Sequence, residues 1–228
     1  MTLDVERRSR SEAETRVIGL VIGRLLQGGD VLLLDGALGA GKTTLTRSIV
    51  EGMGLATENV ASPTFVLVHE HEREGAANDK PSLIHIDAYR LSGEEELETI
   101  GWDRVRERVR SGGAAAIVEW AARLGTNAGA LAERDRVARL TLEHAGEHER
   151  EIRITLPESW RDRAGVGELI RRGPATCPIT GETVPADSPT YPFSSERARL
   201  ADLHRWFSGQ YQVSRPANEQ DFDDEGIR

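Results

Sequence analysis

The octapeptide Gly36-Ala37-Leu38-Gly39-Ala40-Gly41-Lys42-Thr43 fits the pattern G-x-x-x-x-G-K-[ST]. A loop of this kind cradles phosphate when it joins a strand to a helix, so the motif constrains the fold around it. Both neighbours have the required character. Asp30-Val31-Leu32-Leu33-Leu34-Asp35 reads as a buried strand, and Thr44 to Val50 as a helix. Glycines let backbone N–H groups turn inward toward phosphate oxygens, and the helix N-terminus adds partial positive charge. The expected nucleotide contacts are Gly36, Leu38, Gly39, Ala40, Gly41, Lys42, Thr43 and Thr44. Lys42 is placed to reach the β- and γ-phosphates of ATP, and the Thr43 hydroxyl to ligate Mg²⁺.

The chain of 228 residues holds one fair-sized domain, or one domain and a small appendage. No apolar run is long enough for a membrane helix, and the charged N-terminus lacks the apolar stretch of a secretory signal. The single cysteine, Cys177, excludes an internal disulfide and fits a reducing cytoplasm. A formal net charge of −9 argues against a protein that grips nucleic acid unaided.

Ser11 and Glu14 form a capping-box pattern ahead of an apolar-periodic run, which predicts a helix over 11–27. The glycine-rich loop and its helix follow, closed by Gly54. Strands are expected at 65–70, 82–87 and 114–119, and a helix over 94–110 broken near Gly101. Two edge strands, 137–142 and 151–156, flank Gly146. Strands alternating with helices predict an α/β fold with a mostly parallel central sheet flanked by helices. Beyond Pro157 the chain turns rich in Gly, Pro, Ser and Thr, with one helix over 195–207 and an acidic end expected to be disordered. The organisation expected is a P-loop unit over 1–160, a small irregular segment over 172–215 and an acidic tail over 216–228.

Asp87 and Glu119 each end an apolar strand, where ligands of such sheets gather. Both can serve a magnesium site, and one can orient the attacking water. These residues and three further motifs carry a resemblance. GALGAGKTT at Gly36–Thr44, SPTF at Ser62–Phe65, HxDxYR at His85–Arg90 and VEW at Val118–Trp120 stand in order. Together they resemble the TsaE family of bacterial ATPases in tRNA threonylcarbamoyladenosine biosynthesis, over about residues 11–156, including the EELETIG-like stretch Glu95–Gly101. The resemblance implies ATP hydrolysis within a TsaB–TsaD complex that modifies adenosine 37, so that tRNA is met only through the complex. It makes Lys42 and Thr43 the phosphate and Mg²⁺ ligands, Asp87 the metal-side acid, and Glu119 the residue acting on water or metal. Ser62-Pro63-Thr64 matches a switch-like loop. Trp120 reads as a core aromatic or a site residue, His85 as a satisfied inward histidine, and Tyr89 as a packing residue with its hydroxyl bonded. Arg90 reads as a loop-holding ion-pair partner before an arginine finger. Ala37 stands where the family usually carries an acid.

A second resemblance lies in the tail. CPIT at Cys177–Thr180 and FSSERA at Phe193–Ala198 are similar to the Cys₄ zinc proteins of the YacG type, the DNA gyrase inhibitors. Three ligand positions hold Thr180, Ser194 and Ala198, so the expectation is a module without structural zinc. Its core is expected from Phe193, Leu200, Leu203, Trp206 and Phe207, with His204 too far along the helix to act as a ligand. Two other functions fit the P-loop. One is a small-molecule kinase with Arg104, Arg106, Arg108 and Arg110 in a lid, although these more simply solvate a helix. The other is a nucleotide-binding subunit with little hydrolysis.

Overall fold

The computed structural model describes residues 2–57, 60, 68–72, 81–91, 96–171, 174–186 and 188–207. The SPTF segment, the start of the strand expected at 65–70 and the acidic tail lie outside these residues. The elements are β1 (Thr2–Ser9), α1 (Glu12–Leu25), β2 (Val31–Gly36), α2 (Lys42–Met53), β3 (Val68–His71) and β4 (Ser82–Asp87), then α3 (Trp102–Arg110), β5 (Ala114–Glu119), α4 (Thr126–Gly129), β6 (Val137–His144) and β7 (Arg150–Pro157). The tail adds α5 (Val166–Ile170), β8 (Ala175–Thr176), β9 (Thr183–Val184) and α6 (Glu196–Phe207).

Strands β1 to β7 form one sheet in the order β1-β7-β6-β2-β5-β4-β3. The centre is parallel, with β2 between β6 and β5 and β4 beside β5. Antiparallel strands flank it, β3 on β4 at one end and β7 with β1 at the other. The apolar runs of β2 and β5 follow from this position, since a central strand is covered on both faces. Leu32, Leu34, Ala115 and Ile117 pack with α1 and α2 on one face. Val31, Leu33, Ala116 and Val118 pack with α3 and α4 on the other.

The helix expected over 11–27 is α1, with the Ser11 side chain accepting the Glu14 N–H. It crosses α2 closely enough to require glycine. A Cβ on Gly23 would lie 2.2 Å from the Ile49 carbonyl oxygen, and one on Gly52 would lie 2.4 Å from that of Leu20. The helix expected over 94–110 is a 3-10 turn, Glu98–Ile100, followed by α3, with Gly101 between them at φ 71°.

Two sequence expectations change. β1 carries no strand signal in the sequence, because four of its eight residues are charged and only Leu3 and Val5 offer an apolar alternation. Its cross-strand partners account for those charges: Arg153 donates to Glu6 at 3.1 Å and Thr155 to Asp4 at 2.7 Å. β6 and β7 are therefore interior strands rather than edge strands, since β1 covers β7 along its whole length.

Packing of the large unit also continues past the end expected at 160. Trp160 is fully buried, and Val166 and Leu169 join the same cluster as α1 and α2. Asp30, at the foot of β2, has no exposed side-chain surface and lies 2.5 Å from Arg163 and 3.2 Å from Arg136. Arg163 also donates to the Leu25 carbonyl and stacks over Trp160. The residues after 160 thus neutralise a carboxylate inside the P-loop unit. The tail beyond them forms a small cluster of Ala175, Cys177, Val184, Tyr191, Phe193 and Ala198 that rests on Ala13 and Val17 of α1. Leu200 and Leu203, expected in that core, are exposed.

Arg163→Ala should leave Asp30 buried beside one half-exposed arginine and cost about 3 kcal/mol of unfolding free energy, the scale for breaking a buried ion pair. Urea unfolding measures it. An unchanged midpoint would show that this pair does not hold the segment after 160 to the P-loop unit.

Candidate active site at the carboxyl ends of the central strands

β2 ends in the glycine-rich loop, and Gly41 caps α2 with a left-handed backbone at φ 99°. Gly36 passes so close to β6 that a Cβ would sit 2.5 Å from the Leu142 carbonyl oxygen. Both positions therefore exclude side chains. The Lys42 ammonium folds back over the loop, donating to the carbonyls of Gly36 and Ala37 at 2.9 Å each. It also lies 3.7 Å from the centre of the Trp120 ring. Burial lowers the Lys42 pKa, while Glu119, Asp87 and Asp35 act in the opposite direction. Leu38 at the loop tip is exposed, whereas Ala40 is buried against the sheet.

Asp87 and Glu119 are register neighbours at the ends of β4 and β5, and both are buried. Asp87 accepts the Tyr89 backbone N–H at 2.9 Å. Glu119 meets the start of α2. Its Oε2 accepts the Thr43 hydroxyl at 3.2 Å, and its Oε1 accepts that of Thr46 at 2.8 Å. His85 Nε2 lies 3.0 Å from the same Oε1, with both side chains buried. A carboxylate oxygen accepts from an imidazole N–H, and the tautomer with its hydrogen on Nε2 makes this contact a hydrogen bond. The expected inward histidine is therefore satisfied, and its partner is a candidate catalytic group. Thr46 lies one helical turn beyond Thr43 and was not signalled by the motif.

Trp120 follows Glu119 in a left-handed conformation, φ 58° and ψ 37°, the one non-glycine residue with positive φ among those described. Such a backbone costs about 1 kcal/mol and needs support. The Trp120 N–H donates to the Leu34 carbonyl at 2.9 Å. The ring packs on Tyr89 at 4.9 Å and lies under Lys42. Trp120 is thus half-buried at the site and also touches the second core cluster. Tyr89 packs on Trp120 with one side and is 44% exposed on the other, with the Arg123 guanidinium 5.1 Å from its ring. Arg123 belongs to the 3-10 turn Ala121–Leu124, which Asp35 anchors by accepting the Ala122 N–H. No sequence signal singled out Arg123, because only the turn after Trp120 brings it to Tyr89. Arg90 is exposed beside Tyr89.

The arginines of α3 serve the helix and its neighbours. Arg106 pairs with Asp103, Arg108 with Glu70, and Arg110 donates to the Ala130 carbonyl. The donors around Thr43 are all hard oxygens, which suits Mg²⁺: that ion is held by one or two carboxylates together with phosphate oxygens.

In the tail, Cys177, Thr180, Ser194 and Ala198 come together. Thr180 and Ser194 share a hydrogen bond of 2.9 Å, and Cys177 and Ala198 are buried in one cluster. Burial alone would raise the Cys177 pKa. The Thr180 hydroxyl and the N–H groups of Ser194, Thr180 and Ile179 oppose it and bring the thiol to about 6. One thiol, two hydroxyls and a methyl do not make a tetrahedral zinc set. Among the described residues no group of three or more His, Cys, Asp or Glu could hold a metal ion.

The family model described as threonylcarbamoyl adenosine biosynthesis protein TsaE matches residues 9–152, and the one described as DNA gyrase inhibitor YacG matches residues 175–225. The tRNA threonylcarbamoyladenosine biosynthesis protein TsaE of Streptomyces coelicolor is 44% identical over 106 residues, 46% of this chain and 66% of its own length. That of Bacillus subtilis is 35% identical over 148 residues, 65% of this chain and 83% of its own. The crystal structure of Bacillus subtilis YdiB matches with a TM-score of 0.52 at 27% identity, over 74% of this chain and 95% of that one.

Three histidines share the sheet face that carries Glu119. His71 is 4% exposed, tilts against His69 and stacks on His85, and its Nε2 has no hydrogen-bond partner among the described residues. Burial pushes its pKa down to about 4, with His69 and His85 adding to the shift. A base depressed in the folded state takes up its proton preferentially when unfolded, so stability falls as pH drops from 6.5 to about 4. Relative to the unaltered chain, His71→Phe should gain up to about 3 kcal/mol across that window. Urea unfolding at several pH values measures it, and parallel pH profiles would rule out a buried neutral His71.

Proposed function

Because this chain belongs to the TsaE family of tRNA threonylcarbamoyladenosine biosynthesis proteins, we propose that it serves that pathway as a Mg²⁺-dependent ATPase. The observation that carries the reading is the meeting of Glu119 with Thr43, beside Asp87 and above Lys42. The two strand-end carboxylates and the P-loop converge at the carboxyl edge of the sheet, where a nucleoside triphosphate binds in such folds.

Each residue then has a definite task. Gly36, Leu38, Gly39, Ala40, Gly41 and Thr44 supply the backbone of the cradle. Lys42 leaves two neutral carbonyls for anionic phosphate oxygens, which make stronger, charge-assisted hydrogen bonds. Thr43 donates its hydroxyl hydrogen bond to Glu119 and so keeps oxygen lone pairs for the metal. Glu119 Oε1 is filled by Thr46 and His85, while Oε2 receives only Thr43 among the described residues. A carboxylate oxygen accepts two hydrogen bonds, so Oε2 retains room to orient a water molecule. Asp87 holds the metal side. Mg²⁺ held there by Thr43 and Asp87 would supply positive charge against the negative charge that develops during phosphoryl transfer.

The partners in this reading are TsaB–TsaD-type proteins, the tRNA is met through them, and the setting is the cytoplasm. Among the described residues no helix is long and apolar enough to cross a membrane. The tail unit stands without structural zinc, on the donor chemistry of Thr180, Ser194 and Ala198. Its first part folds against α1 through Ala13 and Val17.

Calorimetry with ATP and Mg²⁺ tests the site. Lys42→Ala should abolish measurable binding. Glu119→Gln should bind ATP but turn it over at least about tenfold more slowly in the presence of TsaB and TsaD, as loss of a general base costs. Normal affinity in the lysine variant overturns the nucleotide site, and normal turnover in the glutamine variant removes Glu119 from the chemistry.

A further inference from the structure

Arg150 opens β7 and is half-buried beside the outer side of the glycine-rich loop. Its Nε donates to the Ala40 carbonyl at 2.9 Å, and one terminal nitrogen reaches the Gly39 carbonyl at 3.4 Å. The other terminal nitrogen donates to the Glu149 carbonyl at 2.9 Å and lies 3.4 Å from those of Gly146 and Glu147. All of these acceptors are main-chain oxygens. Among the described residues no carboxylate pairs with this guanidinium. One side chain therefore clasps two loops, the glycine-rich loop and the β6–β7 turn. That turn is itself closed by the Ala145 N–H on Glu149 and tied to β1 through Arg8 and the Glu149 side chain.

The clasp fixes the direction of a peptide group. In a trans peptide the carbonyl and the following N–H point in opposite directions. With the Ala40 carbonyl turned onto Arg150, the Gly41 N–H points away from the hairpin. Gly41 is the left-handed residue that heads α2, so nothing in its own backbone preference holds it there. The Ala40 N–H is already engaged with the Ala37 carbonyl, which leaves the Gly41 N–H as the donor whose aim the clasp controls. The planar guanidinium fork suits this role. It meets two successive carbonyls at once, and neutral acceptors leave its positive charge to bear on the loop.

We propose that Arg150 is the positioning residue of the phosphate loop, holding the outward carbonyls of Gly39 and Ala40 so that the Gly41 N–H faces a bound polyphosphate. The assignment rests on the nucleotide-binding reading above and adds a residue that lies outside the P-loop, HxDxYR and VEW motifs.

The experiment uses the full chain and its Arg150→Gln and Arg150→Lys variants. Each is titrated with ATP and Mg²⁺ by calorimetry and followed by amide hydrogen exchange over residues 36–42 without nucleotide. Arg150→Gln should weaken ATP binding by about tenfold to a hundredfold, the scale of losing charge-assisted hydrogen bonds, and should speed exchange in the loop. Arg150→Lys keeps the charge but loses the fork, so it should remain defective in both readouts. Restoration of affinity by lysine would show that long-range charge suffices and would overturn the positioning role. Undiminished binding by Arg150→Gln, or loop exchange equal to that of the unaltered chain, would overturn it as well. If Arg150→Gln lowers the thermal midpoint, Arg150→Lys against the unaltered chain at a temperature where both are folded gives the same decision. Absence of ATP binding by the unaltered chain would instead overturn the nucleotide reading, and this assignment with it.

Discussion

A carboxylate buried at 1% exposure organises the functional end of this molecule. A buried carboxyl group such as that of Glu119 needs hydrogen-bond partners, because a polar group taken out of water is costly without them. The donors come from two other elements, Thr43 and Thr46 from α2 and His85 from β4. Meeting the needs of one side chain therefore fastens the P-loop helix to two central strands. The same contacts give Thr43 its orientation, and in the proposed site they leave one position on Oε2 for a water molecule. Structural necessity and the proposed catalytic geometry are here a single arrangement.

The glycines set the distances on which that arrangement depends. Gly23 and Gly52 let α1 and α2 cross at backbone contact, and Gly36 lets the loop lie on the end of β6. A Cβ at Gly23 or Gly52 would clash across the α1–α2 crossing, and one at Gly36 would clash with β6. On the far side of the loop, Arg150 joins the glycine-rich turn to the β6–β7 hairpin. The loop is thus held between a buried anion beneath α2 and a cation behind its tip.

The tail shows what remains of a metal-binding pattern when its ligands change. Cys177 keeps the ring of N–H donors that would support a thiolate, but Thr180 and Ser194 now bond to each other, and Ala198 fills space with a methyl. Tyr191, Phe193 and Val184 close a small cluster, and Ala13 and Val17 of α1 lend it surface that so short a segment cannot supply by itself.

Much was legible without coordinates. The P-loop with its strand and helix, the strand-end positions of Asp87 and Glu119, the break at Gly101 and the ligand changes in the tail all rest on local chemistry. Short-range rules of backbone geometry and apolar periodicity determine such features within a few residues. What the tertiary structure decided involves residues far apart in the chain. The charged strand β1 forms because β7 offers it an edge and opposite charges. Trp120 turns left-handed because Leu34, Tyr89 and Lys42 surround it. Arg163 belongs to the P-loop unit because Asp30 lies buried at the foot of β2. Arg123 and Arg150 carry no motif, since an arginine's role depends on which acceptors the fold brings within reach. The sequence by itself determined which chemistry the chain carries and the order of its elements. The tertiary structure alone decided which charges meet, because those pairings depend on distances that only the assembled sheet and its packed helices create.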